Sequence, residues 1–580
     1  MHNKFLTLAL TLSFLCANVS AQENNRKTMK AYMVANAHLD TQWNWDYRTT
    51  IKEYIPKTIR QNLFLFKKYP DYIFNFEGAV KYSWMKEYYP LEFEEVKKYV
   101  ANGRWHLAGG SWDANETIVC SPESWMRNIL LGQTFYRQEF SRESTDAFLP
   151  DCFGFGYDLP TLASHCGLIG FSSQKLAWRS HPFYDTGRKF PFTVGLWQGI
   201  DGSRIMAVHG FYYDAKWNDV DLSNDEVLKK EIAESPLNMV YRYYGVGDMG
   251  GSPDIPSVRS VEKGIKGIGP IEVISAASDR LYRDLLTNNK LSALPIFDGE
   301  LLMDVHGSGC YTSQAAMKLY NRQNEHLGDA AERAAVTAEW LGTSVYPSAE
   351  LTDCWRRIIL HQFHDDLSGT CRPSNYEVSW NDELLSLSRF SKVLTTSVNG
   401  IASYMNTNVS GVPVVLYNAE AFPVRTVAEV VLPQMAGEYI VTDTDGKRVN
   451  TQVGINSKVD RRLLFEADVP AAGAKVYSVK AVNKKEYVKT RDVRTIENSV
   501  YALTVDDNGN ISSIFDKRNN KELVANGKAV SLVVFDDCKS YAWPAWEIHK
   551  TTIDKEPVKV KDNVQVTLLE EGPIRKSLLV

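Results

Sequence analysis

Residues 33–47 read MVANAHLDTQWNWDY. The apolar run from Met33 to Ala37 reads as the interior of a buried strand. It ends on His38 and Asp40, two positions apart, with Trp43, Trp45 and Tyr47 close behind. Side chains two apart on a strand share a face, so His38 and Asp40 present an imidazole and a carboxylate side by side. That pairing suits a divalent cation, although an isolated H-x-D is just as readily an ordinary hydrogen-bonded pair. The rest of the chain has to decide.

From Met29 to about Glu300 the runs AYMVANA, YIFNFEG, RWHLAGG, DAFLPD, GLIGFSS, RIMAVHG and IEVISAA alternate with helix-like segments such as PLEFEEVKKYVANG. Strands alternating with helices predict βαβ units and a parallel sheet, open or closed into a barrel. Seven runs predict a (β/α)7-like parallel barrel or sheet. Ligand sites in such folds gather at the carboxyl ends of strands, where His38 and Asp40 fall. Residues 311–407 are helical in pattern and predict a three-helix bundle, with Ser348 capping the second helix. Short strands with turn residues follow, including hairpins at DTDGK and around Asn508 and Gly509. The expected fold class is therefore multidomain, α/β plus α plus β. A catalytic α/β domain spans 22–305, the bundle 306–407, a small β domain 408–485, and the start of a larger β-sandwich 486–580.

At 580 residues and 44% apolar content, several cores are required. A net charge of −5 without long runs of one sign argues against a nucleic-acid groove or a polybasic membrane patch, so the expected partner is a small or neutral molecule. Residues 1–21 have the basic start, apolar core and small residues of a signal peptide cut after Ala21, which predicts a secreted or periplasmic protein. Phe14 and Leu15 are too bulky for lipid anchoring at Cys16, and no other segment has the length of a membrane span. The other seven cysteines, Cys120, Cys152, Cys166, Cys310, Cys354, Cys371 and Cys538, form no C-x-x-C and read as neither a disulfide framework nor a thiolate zinc site. One or two bridges remain open to them, as does a homo-oligomer to the chain. The sequence stops at GPIRKSLLV within a strand-like run, which leads us to expect that the natural protein continues.

Two further clusters bear on the His38 pair. Asp151, in DAFLPDCFGFG, also follows a short apolar run. HQFHDDLSGT places His364, Asp365 and Asp366 at the expected carboxyl end of a helix, where the carboxylates oppose the macrodipole and a cation would relieve them. His38, Asp40, Asp151 and His364 make a nitrogen and oxygen set suited to Zn²⁺ or another first-row ion.

ANAHLDTQWNW, LPDCFGFGYDLP, YGVGDMGGSPD, GELLMDVHGSGCYTSQAAMKLYNR and HQFHDDLSGT resemble, in order and spacing, the signature blocks of glycoside hydrolase family 38 α-mannosidases. The likeness extends from about residue 30 to 407. It implies a retaining, exo-acting α-mannosidase that releases terminal α-linked mannose from glycans through a covalent glycosyl-enzyme. One zinc, or another divalent ion, would bind the mannose 2- and 3-hydroxyls. By this likeness His38, Asp40, Asp151 and His364 are the metal ligands, Asp151 is also the nucleophile, and Asp248 is the acid/base. Trp43 and Phe153 line the sugar subsite and Asp365 contacts sugar hydroxyls or holds His364.

For Trp45, Tyr47 and His361 we expect structural roles, and for His106, His209 and His306 structural or outer-pocket ones. Cys152 would point away from Asp151's face, and the family pattern leaves Asp366 without a role. A metal-dependent polysaccharide deacetylase-like hydrolase and an inactive sugar-binding relative are the alternatives. The first usually carries an H-x-x-x-H pair that is missing here, and the second would not need every carboxylate.

Overall fold

The computed structural model describes residues 29–175, 190–303, 306–432, 438–455, 461–482, 493–536 and 543–580. The expected signal peptide, Cys16 and Cys538 lie outside the described residues. The chain divides into two units. The first comprises Met1–Arg322, Trp355–Leu384 and Ala545–Glu547, and the second Gln323–Cys354, Leu385–Pro544 and Ile548–Val580.

In the first unit seven parallel strands follow one another around a ring: β1 (Met29–Ala37), β2 (Phe74–Glu77), β3 (Trp105–Ala108), β4 (Asp146–Phe148), β5 (Gly170–Ser173), β6 (Arg204–His209) and β7 (Met239–Val246). β7, β1, β2 and β3 pair in one sheet, and β4, β5 and β6 in another. Two seams join them. Gly110 N donates to Asp146 O (3.0 Å) between β3 and β4, and Tyr243 N donates to Gly210 O (3.0 Å) between β6 and β7. The expected (β/α)7-like arrangement is thus a ring of two parallel ladders with looser joints.

All seven expected strands form, and one further parallel strand was not expected. IEVISAA does form a strand, Ile271–Ser275, which joins the first of these sheets and, among the described residues, pairs in parallel with Met29–Met33 of β1. The additional strand is MVYRYYGV, the β7 that pairs along β1 from Lys30 to Ala37. Its Tyr241, Tyr243 and Tyr244 are buried, and its Arg242 guanidinium lies over the rings of Phe211 and Trp217 and pairs with Glu231 at 3.2 Å. A strand buried through phenol rings and a stacked cation lacks the aliphatic run by which buried strands are read from sequence.

Tyr32 and Val34 of β1 share a core cluster with Phe148, Val208, Tyr241 and Tyr243, and with Leu281, Tyr282 and Leu285 of the helix Arg280–Thr287. Tyr32 Oη also donates to Asp284 (2.9 Å), so this helix stoppers the amino-terminal end of β1, opposite His38. Each fully buried apolar side chain contributes about 1.5–3 kcal/mol, which gives the strand ends a stiff base.

The expected helices are Ala315–Trp340, Ser348–His361 and Tyr376–Tyr404. The second stops at His361, and a short helix, His364–Ser368, begins anew beyond Phe363, whose extended backbone (ψ 144°) breaks the run. Asp365 and Asp366 therefore occupy a first turn rather than a helix carboxyl end, and the expected clash with the macrodipole does not occur.

In the second unit a four-stranded and a three-stranded antiparallel sheet share one core that includes Val441, Phe465, Tyr477 and Val479, a β-sandwich. Further antiparallel strands span 495–522 and include the expected hairpin, Tyr501–Val505 paired with Ile511–Asp516. Among the described residues no helix is long and apolar enough to cross a membrane.

Gly245 faces Asn36 across the β1/β7 ladder with φ +147°, and a Cβ there would stand 1.9 Å from Asn36 O. Gly245→Ala should lower the stability of the first unit by about 2 kcal/mol or more, read as an earlier unfolding transition in urea.

Candidate active site

The site is assembled by backbone. Beyond β1 and β7 the chains stay bonded: His38 N to Val246 O (3.1 Å), Asp40 N to Asp248 O (2.8 Å) and Gly250 N to His38 O (3.1 Å). Asp40 and Asp248 are thereby held beside each other, with Asp248 in a left-handed conformation (φ +60°). A second pairing sets residues 114–116 against 362–364, through Glu116 N to Gln362 O (2.9 Å) and His364 N to Ala114 O (3.1 Å). It delivers His364 to the mouth of the ring.

Both imidazoles are aimed. His38 Nδ1 donates to Glu77 Oε1 (2.6 Å) at the end of β2, and His364 Nδ1 donates to Ala114 O (3.0 Å). Each therefore turns Nε2 inward. His38 Nε2 lies 3.0 Å from Asp40 Oδ1; His364 Nε2 lies 3.5 Å from the same oxygen and 4.0 Å from Asp151 Oδ2. Donor atoms of His38, Asp151 and His364 fall within 4.8 Å of one another. His38 Nε2, Asp40 Oδ1 and His364 Nε2 are all buried without a hydrogen-bond partner. A tetrahedral ion with bonds of about 2.0–2.1 Å separates its ligands by roughly 3.3 Å. The His38, Asp151 and His364 donors are close enough to be drawn onto one divalent ion, and Asp40, which groups with His364 and Asp365, adjoins them through His364. Asp151 keeps the most exposure of the four.

The surrounding charges sort the carboxyls. Burial pushes Asp151 upward, but Lys175, His38 and His364 outweigh it and hold the group below its ordinary value. Lys175 Nζ and Gln174 Nε2 both sit 2.8 Å from Asp151 Oδ1. Asp248 goes the other way, raised to about 6 by burial and by the charges of Asp40 and Asp151, against the pull of the Tyr213 hydroxyl, which donates to its Oδ1 (2.7 Å). Asp365, raised to about 8 chiefly by burial and Asp40, lies 3.4 Å from His364 Nε2 and accepts from Thr370 Oγ1 (2.5 Å).

One wall is aromatic. Trp43 stacks on Trp546 (centroids 5.9 Å, planes 17° apart), and Phe153 stands 5.6 Å from Trp546 and 5.8 Å from His364. His306 meets Trp546 edge-on at 5.4 Å. Trp45 is structural, buried against Tyr54 with Nε1 donating to Thr50, and Tyr47 stacks on Trp84. Cys152 Sγ turns to the carbonyl of Asn115 (3.3 Å). His106 lies 3.8 Å from Asp279, and His209 packs between Phe190 and Phe211.

The profile of the glycosyl hydrolases family 38 N-terminal domain matches residues 28–264, that of the alpha mannosidase middle domain 306–401, and that of the family 38 C-terminal domain 496–580. The chain belongs to glycosyl hydrolase family 38. Curated relatives include Alpha-mannosidase G of Dictyostelium discoideum, 27% identical over 96% of this chain and 52% of that protein, and human Alpha-mannosidase 2C1, 25% identical over 92% and 49%. The chain thus spans about half the length of these relatives. The crystal structure of an alpha-mannosidase from Enterococcus faecalis V583 superposes with a TM-score of 0.72 at 18% identity, covering 95% of this chain and 67% of that one, which shows a shared fold.

Within this family 38 chain all seven residues singled out from sequence, together with Asp248, are brought together in the first unit by the contacts given above. Glu77, Gln174, Lys175, Tyr213 and Trp546 were missed. Glu77 carried a usable signal, since it closes FNFE as a carboxylate at a strand's end; Trp546 carried none that sets it apart from Trp543. Asp366 now has a place. It accepts from Gln42 Nε2 (2.9 Å) and Ser379 Oγ (3.0 Å) and meets His361 Nδ1 at 2.6 Å, while His361 Nε2 reaches Asp382 (3.1 Å).

Burial opposes the charge on His361, yet Asp366 and Asp382 raise it from 6.5 to about 10. A raised folded-state value stabilises fully below the unfolded one and is lost as pH climbs through the folded one. The stability difference between wild type and His361→Gln should therefore be greatest at pH 6 and shrink toward pH 10, measured by denaturant unfolding.

Proposed function

We propose that the protein is a retaining, exo-acting α-mannosidase that releases terminal α-linked mannose from glycans or mannosides. The observation that carries this is the opposite tuning of two neighbouring carboxyls, Asp151 held ionised and Asp248 held protonated up to about pH 6. Retaining hydrolysis needs that division of labour. Family membership supports the reading, as do the names of the relatives.

In the first step an Asp151 oxygen attacks the anomeric carbon while Asp248 gives its proton to the glycosidic oxygen, so the C–O bond to the leaving group breaks as the bond to Asp151 forms. Tyr213 occupies Asp248 Oδ1, which leaves Oδ2 to carry the transferable proton. In the second step Asp248 takes a proton from water, whose oxygen displaces Asp151. Lys175 and Gln174 fix the nucleophile's Oδ1 throughout. His38, Asp40, Asp151 and His364 would hold one Zn²⁺ or a similar ion, which when bound supplies positive charge to the mannose 2- and 3-hydroxyls. Trp43, Phe153 and Trp546 offer flat faces to the sugar's C–H groups, and Asp365 accepts from its hydroxyls. The leader at residues 1–21 supports export, to the periplasm or outside the cell.

Hydrolysis of 4-nitrophenyl α-mannoside followed by proton NMR should show α-mannose as first product, and a β-anomer would sink the retaining mechanism. Asp151→Ala should lose essentially all turnover together with tight metal binding. Asp248→Asn should keep its metal and lose about 10²–10⁴-fold on unactivated mannosides, but less on activated aryl ones.

The general acid must be protonated, so kcat/KM should fall as pH rises through about 6. Tyr213→Phe removes a contact that lowers Asp248 and should move that fall to higher pH. A pH profile unmoved in this variant would exclude Asp248 as the acid.

A further inference from the structure

Lys81 and Asp113 form an ion pair with no exposed surface, Nζ 2.7 Å from Oδ1, and neither residue belongs to the ligand set or the pocket wall. The position is costly twice over. Lys81 is the third residue of the helix Ala79–Tyr88, a cation at the positive end of the dipole. A charge pair taken out of water also recovers its desolvation cost only in part, and well-packed apolar side chains commonly do as well or better. The fit is close as well: a Cβ on Gly78 (φ +85°) would stand 2.8 Å from Lys81 Nζ and 3.1 Å from Asp113 Oδ1. Core stability does not account for this pair.

Its contacts do. Asp113 Oδ2 accepts from the hydroxyl of Thr41, the neighbour of Asp40. Asp113 Oδ1 also accepts from Ala114 N (2.9 Å), and the Ala114 carbonyl receives both the amide and Nδ1 of His364. Gly78 directly follows Glu77, the partner of His38. Lys81 Nζ lies 5.6 Å from the ring centre of Phe363, the residue before His364. From the far side Asn128 clamps the Asp113 backbone with two 3.0 Å bonds. A single buried pair thus ties together the segments after β1, β2 and β3 and the one that delivers His364.

We infer that Lys81 and Asp113 are positioning residues of the metal centre, setting the spacing of the His38, Asp40 and His364 donors before a cation arrives. The inference rests on the proposed reading of those side chains as metal ligands. Ligands held in place by packed and bonded neighbours bind without reorganising, which is where such support acts.

The test compares zinc affinity, by competition with a chromogenic chelator, and melting temperature of the metal-free protein, in wild type and the Lys81→Met/Asp113→Leu double variant. The double variant should still fold, with some loss of melting temperature because the Thr41 hydroxyl and Ala114 amide lose Asp113, while its zinc dissociation constant rises about 10–100-fold. An unchanged constant overturns the inference. Should the double variant not fold, Thr41→Val removes only the hydroxyl's bond to Asp113; a weakening of several-fold or more supports the inference and unchanged affinity overturns it. Wild-type protein that binds no zinc in the same titration sinks the metal centre and this inference together, whereas tight wild-type binding matched by the variant sinks this inference alone.

Discussion

Negative charge concentrated where water is scarce is the constraint around which the rest is arranged. Asp40, Glu77, Asp151, Asp248 and Asp365 all converge on two buried imidazoles. So many carboxylates cannot share such a space without counter-charge. The molecule answers in several ways at once. Lys175 faces Asp151, Asp248 and Asp365 are driven toward their neutral forms, and both imidazoles are drawn toward the protonated state. A divalent cation bound by the same donors would answer the remaining demand, which is why a metal reading and an acid/base reading of one pocket support each other.

Main-chain bonds fix what side-chain chemistry requires. The run from His38 to Asp40 is bonded to Val246–Gly250, so Asp40 and Asp248 are held beside each other by an antiparallel bridge between Leu39 and Met249, just past the parallel β1/β7 ladder. His364 is set likewise by the segment after β3. The ring of strands, stoppered at its other end by Leu281, Tyr282 and Leu285, keeps those ends from shifting. Rigidity of this kind is what the proposed reaction would require of its two carboxyls.

How much of this was legible in advance depends on the kind of signal. Apolar runs ending in His38 and Asp151 announced the sheet and its working edge, because short aliphatic blocks between helical segments form buried strands. β7 escaped notice because its burial is accomplished by Tyr241, Tyr243, Tyr244 and a stacked Arg242, residues that look solvent-facing on any hydropathy scale. Asp248 was therefore placed by family likeness alone, without a strand to carry it. The helix break at Phe363 was hidden for a different reason, since it is imposed by pairing with Asn115, far away in sequence. Lys81, a charged residue in a short helix whose apolar and polar residues are mixed, gave no hint that it is enclosed.

Trp546 bears on how the protein matures. The first unit draws Ala545–Glu547 from a stretch flanked on both sides by the second unit. A ribosome will have released nearly the whole of this sequence before the indole that stacks on Trp43 exists to do so. The strands of the ring all precede Trp546 in the chain, so they can pair before this side of the site is completed. Trp43 therefore waits for a partner that lies far along the chain and within a different stretch of the same unit.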